Sequence, residues 1–269
     1  EILRFLETKS SLKKIFVVGN SLSEKVEKSI KRTNSLRINP KDIGQHTFFS
    51  CDLTDADASQ VASLLSKAQH LTTINLGQNK ITTGGLTHIL NSLQFHPALI
   101  ELDVSDNFIC DEGGKELLTF LERKPSLKKI CFADNPMNEN VKKSIKRINC
   151  LRINPKDIWL YSFFSCDFTD TEAPQVASLL SQSHPQSKMC LNKNKFTSQG
   201  LKHLLDALQH HSTLVELDVS DNFIGDEGGN ELLMFIETKP YLKKIFFEGN
   251  SMTEEMEQTI MNMLEKNNK

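Results

Sequence analysis

The sequence has no excess of charge of one sign: 32 Lys+Arg stand against 34 Asp+Glu, a formal net charge of −2. Bulk attraction to nucleic acid or to an anionic membrane surface is therefore lacking, and neither is expected as a partner. No apolar run approaches the roughly 18–20 residues of a transmembrane helix. No secretory signal stands at the start, although residue 1 is Glu, so a longer parent chain could have carried one. The six cysteines (Cys51, Cys110, Cys131, Cys150, Cys166 and Cys190) include no CxxC pair and no His/Cys metal spacing. There is no Asn-x-Ser/Thr sequon. These absences favour free thiols and a cytoplasmic location. No Ser/His/Asp order, Walker-type phosphate loop or glycine-rich nucleotide fingerprint occurs, and Gly113–Gly114 and Gly228–Gly229 read as helix-start glycines. His210 and His211 are adjacent on an expected helix, so their rings point apart and do not pair as ligands. No catalytic residue, cofactor or metal is expected.

Repetition is what the sequence has in abundance. LIELDVSDNFICDEGG at residues 99–114 returns as LVELDVSDNFIGDEGG at residues 214–229, which is 115 residues later. LKKI, LRINPKDI, FFSCD and QVASLLS recur at the same spacing. Inside this block lies a shorter unit, L-x-x-L-x-L-x-x-N-x-L, starting at residues 12, 43, 71, 99, 127, 158, 186, 214 and 242. Its steps are 31, 28, 28 and 28, which sum to 115. The Asn/Cys slot falls at Asn20, Cys51, Asn79, Asn107, Asn135, Cys166, Asn194, Asn222 and Asn250. His46 and Gln186 occupy slots meant for apolar residues.

Each part of the unit has a physical task. The L-x-L alternation has the period of a short strand, with Leu102 and Val104 on one side and Asp103 on the other. The asparagine amide offers both donors and an acceptor to backbone groups where the chain turns. GLKHLLDAL then places Leu201, Leu204, Leu205 and Leu208 on one helical face. Asp111 and Asp226 are expected as helix N-caps. One strand and one helix cannot bury an apolar face alone, but stacked neighbours can.

Motif, length and strand-plus-helix unit together resemble the ribonuclease-inhibitor-like leucine-rich repeats, from about Leu12 to the end of the chain. The resemblance implies an α/β solenoid, a horseshoe with a parallel sheet on its concave side and helices on its convex side. Residues 1–269 are read as one domain of about nine repeats, opening at Glu1 inside a helix, with more repeats expected upstream. Such repeats form the C-terminal arms of NLR-type immune receptors, ribonuclease inhibitor, and the Ran GTPase-activating protein. The leading expectation is a non-enzymatic protein-binding scaffold, the sensing or adaptor arm of a larger cytosolic protein. Two alternatives stand beside it. MEQTIMNMLEKN resembles the last helix of tropomodulin-type actin caps. A GTPase activator resembling the Ran activator would be the second, but the sequence has no acidic tail. Oligomeric state is not readable.

With the first, fourth and sixth slots inside, the third, fifth, seventh and eighth face the concave side. The candidate binding residues there are Phe16, Phe49, Glu101, Asp103, Asp106, Lys129, Phe164, Glu216, Asp218, Asp221 and Lys244. Exposed carboxylates beside lysines orient a protein partner; the plainer reading is a solvated face. Phe49 and Phe164, if exposed, favour contact, unless a long neighbour covers them. Two equal acidic bands, four strand spacings or roughly 20 Å apart, would suit a bivalent partner. The basic runs Lys28–Arg32 and Lys143–Arg147 read first as solvated helix faces.

Overall fold

The computed structural model describes residues 4–5, 8–9, 12, 14–17 and 20–267. The helix expected over residues 1–11 falls largely outside them. The chain divides into two compact units, residues 1–145 and 146–269.

The first unit runs α1 (Glu24–Leu36), α2 (Ala58–Leu65), β1 (Thr73–Asn75), α3 (Thr83–Leu93), β2 (Glu101–Asp103), α4 (Asp111–Arg123) and β3 (Lys129–Cys131). Its strands form one parallel sheet in the order β1-β2-β3, with Ile74 beside Leu102 and Leu102 beside Ile130. These central residues are buried, and their neighbours point the other way. The helix α5 (Glu139–Leu151) contains the division point. The second unit continues with α6 (Ala173–Ser181), β4 (Lys188–Cys190), α7 (Ser198–Leu208), β5 (Glu216–Asp218), α8 (Asp226–Glu237), β6 (Lys244–Phe246) and α9 (Glu254–Asn267). Its sheet runs β4-β5-β6, aligning Met189, Leu217 and Ile245. In each unit strand lies on strand and helix on helix, with the core between. Leu201, Leu204, Leu205 and Leu208 all enter that core, as their spacing predicts.

Six strands form among the described residues, where nine matches predict nine. The repeats at Ile43 and Ile158 make turns instead. Their inward strand slots hold His46 and Tyr161, whose polar tips stay in solvent. Each turn still shares two hydrogen bonds with its neighbour, one donated in each direction. Asn75 N donates to Gln45 O (2.9 Å) and Ser50 N to Gly77 O (3.0 Å), and Cys190 with Ser165 repeats this in the second unit. Lys14–Val17 likewise form no strand.

Two details of the helix starts differ from the sequence reading. Cys110 and Gly225 occupy the N-cap positions, and Asp111 and Asp226 are the first helical residues. The carboxylates reach across to the next repeat, accepting from Asn138 N (2.6 Å) and Thr253 N (2.7 Å) respectively. The glycines of DEGG serve packing. A Cβ on Gly114 would sit 2.3 Å from Val141 Cγ1, and one on Gly229 would sit 2.4 Å from Met256 Cγ.

Buried bases close the return loops. Lys124 Nζ donates to Gln94 O and His96 O, and Lys239 Nζ to Leu208 O, Gln209 O and His211 O. Burial lowers the pKa of both lysines. His211 Nδ1 accepts from Gln186 N (3.0 Å), which fixes the neutral ring with Nε2–H donating to Leu180 O (3.0 Å). His96 donates Nε2–H to Ala68 O, and its buried Nδ1 has no partner. Burial, first, holds both histidines below their ordinary value. The unfolded chain therefore takes up protons first. This contribution to stability is full above the unfolded pKa of about 6.5 and is lost as pH falls below it. The urea midpoint is expected to drop between about pH 7.5 and 5.5, a window that spans the unfolded histidine value of about 6.5, and His96→Asn with His211→Asn should flatten the slope. An unchanged wild-type midpoint would contradict the burial argument.

Candidate functional site

Period-two alternation places one side chain per strand inside and two outside. In the first unit the outward rows are Thr73–Glu101–Lys129 and Asn75–Asp103–Cys131. In the second they are Lys188–Glu216–Lys244 and Cys190–Asp218–Phe246. Glu101, Asp103 and Lys129 thus share one face, as do Glu216, Asp218 and Lys244. Lys188 Nζ lies 2.8 Å from Glu216 Oε2, and that hydrogen bond raises the lysine's pKa. Cys131 and Cys190 are outward thiols that burial pushes up, Cys190 to about 11, with the Asp and Glu beside each adding to the shift.

The four aspartates have local duties. Asp103 Oδ1 accepts from Ser105 N (2.9 Å) and Oγ (2.6 Å), and Asp218 does the same for Ser220. Asp106 and Asp221 sit in the left-handed region, at φ 51° and 52°, which Asp tolerates better than most residues. A turn requirement therefore accounts for part of the acidic bands.

The turn slots form two ladders. Asn79, Asn107, Asn135, Asn194 and Asn222 are buried, Asn250 half-buried and Asn20 exposed. Asn107 Nδ2 donates to Leu76 O, Val104 O and Ser105 O, while its Oδ1 accepts from Ile81 N. Cys51 and Cys166 fill the same slot with buried thiols, and their N–H groups donate to the next asparagine, Asn79 and Asn194.

The aromatic expectation needs correction. Phe49 and Phe164 are half-buried, not exposed. Lys31 Nζ lies 5.3 Å from the Phe49 ring centre, and Lys146 Nζ lies 5.1 Å from that of Phe164. His46 and Tyr161 meet the same rings edge-on. The basic helix runs thereby face inward in part. Arg32 pairs with Asp57 (2.7 Å) and Arg147 with Glu172, both acids being buried. Phe16 is 76% exposed, with Lys14 Nζ 4.8 Å from its ring centre.

Sequence reading missed the feature that distinguishes the second unit. Trp159 and Tyr161 are 73% and 64% exposed in the turn that replaces a strand. Leu160, Tyr161, Lys188, Cys190, Asp218 and Phe246 line a shallow pocket of about 200 Å³ on the strand face. The strand pattern had placed Tyr161 inside. A tyrosine in an inward slot, two positions after a tryptophan, was the available signal. Among the described residues, no group of three or more His, Cys, Asp or Glu could hold a metal ion, and no helix is long and apolar enough to cross a membrane.

Short parallel strands, asparagine turns and helical returns stacked in this way define a leucine-rich-repeat protein. Its repeats resemble those of the ribonuclease-inhibitor-like leucine-rich-repeat family. The Leucine Rich repeat family pattern matches residues 67–90, 96–118 and 210–233. Mouse (Mus musculus) ribonuclease inhibitor is 22% identical over 76% of this chain and 44% of its own length. Mouse NACHT, LRR and PYD domains-containing protein 14 is 24% identical over 63% of this chain and 17% of its own length. The chain thus spans less than half of either relative. Among solved structures, leiomodin-1 actin-binding site 2 aligns at 14% identity over 79% of this chain and 86% of that one, with a TM-score of 0.31.

Proposed function

We propose that this chain is a non-enzymatic protein-interaction domain that holds a partner on its outward strand faces. It would serve as the sensing or adaptor arm of a larger cytosolic protein similar to the NACHT, LRR and PYD domains-containing relatives. One observation carries the reading. The strand face of the second unit combines a Lys188–Glu216–Lys244 row with a pocket edged by Tyr161 and Phe246. Aromatic anchors beside an ordered charge row are what a protein interface requires, and the open, shallow pocket suits side-chain docking better than catalysis. The cytosolic placement rests on the thiols and on the relatives.

A photo-crosslinker at Phe246 is expected to capture protein from cell extract, and one at Met234 on the exposed side of α8 is not. Equal capture at both positions would reject the strand face as the binding surface. Charge reversal is better aimed at Glu101 and Glu216 than at Asp103 and Asp218, because those aspartates also hold their turns. With the captured partner, Glu216→Lys should weaken binding about tenfold, roughly 1.4 kcal/mol. A combined Glu101→Lys and Glu216→Lys loss far beyond either single loss would indicate that one partner engages both units. Unchanged affinity in the double variant would remove the charge rows from the interface.

A further inference from the structure

The same two slots carry different chemistry in the two copies of the repeated block. In the first unit Ser35 Oγ lies 3.3 Å from Cys51 Sγ. The residues 115 positions later are Cys150 and Cys166, and their sulfurs lie 3.1 Å apart. Cys150 is in the last turn of α5, and Cys166 fills the turn slot of the repeat at Ile158. Ser162 O accepts from Cys150 Sγ at 2.9 Å, and Cys166 N is held by Asn194 Oδ1 at 3.1 Å. The Cys150 sulfur and the Cys166 backbone are therefore held in place, and a disulfide bond of about 2.05 Å is roughly 1 Å of closure away. Sixteen residues separate them, a separation without any CxxC signature.

We infer that Cys150 and Cys166 are a redox modification site, forming a reversible intramolecular disulfide when the protein meets hydrogen peroxide. Cys150 is the attacking thiol, because it keeps 7% of its surface open while Cys166 keeps none, and peroxide is little larger than water. The hydrogen bond from Cys166 holds the Cys150 thiol below its ordinary pKa despite burial, and the Lys146 charge adds to this. The Cys166 thiol is pushed well up by its role as donor and by burial, so it stays protonated until the second step. In the first step the Cys150 sulfur attacks one peroxide oxygen. The O–O bond breaks, the second oxygen leaves with the thiol proton as water, and a sulfenic acid remains on Cys150. In the second step the Cys166 sulfur attacks the Cys150 sulfur. The S–O bond breaks and the hydroxyl leaves as water with the Cys166 proton. Two thiols lose two electrons, one peroxide gains them, and two waters form. The bond ties the end of α5 to the turn that carries Trp159 and Tyr161. In the first unit Ser35 stands where Cys150 would be, and the corresponding bond cannot form.

The test is to treat the reduced chain with equimolar hydrogen peroxide, block thiols with N-ethylmaleimide in denaturant, digest, and map masses. Before treatment all six cysteines should be labelled. Afterwards two labels should be lost, with one cross-linked peptide joining Cys150 to Cys166, and dithiothreitol should restore both. Cys150→Ser recreates the Ser/Cys pair of the first unit and should abolish the cross-link at the same dose. The mapping uses the unaltered chain, so it does not depend on that variant folding. Three results would overturn the inference. Cys166 could be found joined to another cysteine. Cys150 could carry sulfinic acid without a cross-link. Both sulfurs could remain labelled while the half-exposed Cys110 and Cys131 oxidise.

Discussion

Replacing Phe168 with alanine is expected to destabilise the second unit by about 3–5 kcal/mol, the range for deleting a fully buried aromatic ring. Phe168 is fully buried between two other buried rings. Phe163 lies 6.3 Å away at 55°, and Phe196 lies 6.2 Å away in a stacked arrangement at 25°. These aromatic contacts add to the area term, and the surrounding turns are held by Asn194, so the site has little freedom to collapse. The corresponding residues of the first unit, Phe48, Leu53 and Ile81, show that an aliphatic residue fills the same slot in a similar frame. Phe168→Leu should therefore cost much less, under about 1.5 kcal/mol. Urea unfolding followed by far-UV circular dichroism measures both. An alanine cost no larger than the leucine cost would show that the ring stack does not support the unit.

The repeat was legible because its turns depend on particular side chains. An amide that must serve the backbone of two successive turns leaves an Asn every 28 residues, and the left-handed residue before it leaves Asp, Gln, Lys or Gly. Helical faces such as that of α7 were equally plain, since burial follows the 3.6-residue period directly. The failures have physical causes. A three-residue strand is specified mainly by one inward side chain, so His46 and Tyr161 were enough to replace strands with turns. That replacement brought Tyr161 out to the pocket and left Phe49 and Phe164 under lysines one helix away. No local pattern announces a contact between Lys146 and Phe164, or between Arg147 and Glu172, because each pairs a helix with the following turn across 18 and 25 residues. The thiol pair was hidden in the same way: Ser35 and Cys150 differ visibly, but only the fold sets Cys150 against Cys166.

Asn107→Ala is expected to cost about 3 kcal/mol, the upper end for a substitution that leaves buried polar groups unpaired. Asn107 is 5% exposed and lies in the middle of the first ladder. Its Oδ1 is bonded to Ile81 N at 3.0 Å, and its Nδ2 to Leu76 O and Val104 O at 3.0 and 3.1 Å. Alanine strands the Ile81 amide and weakens both carbonyls, in a place too tight to admit water readily. Val104 O retains the bond from Asn135 Nδ2, and Leu76 O that from Asn79 Nδ2, so the carbonyls suffer less than the amide. The damage should therefore concentrate at Ile81, in the repeat before the substitution. Hydrogen exchange can separate this from a general loss of stability: Ile81 N–H should lose protection beyond the global change, while amides in the second unit should not. Asn91→Ala is the internal control, because Asn91 is exposed on helix α3, away from the turns. It should cost under about 0.5 kcal/mol, as surface substitutions do. If the two alanine variants lost the same stability, the turn asparagines would be a mark of sequence duplication and not the cross-links that join one repeat to the next.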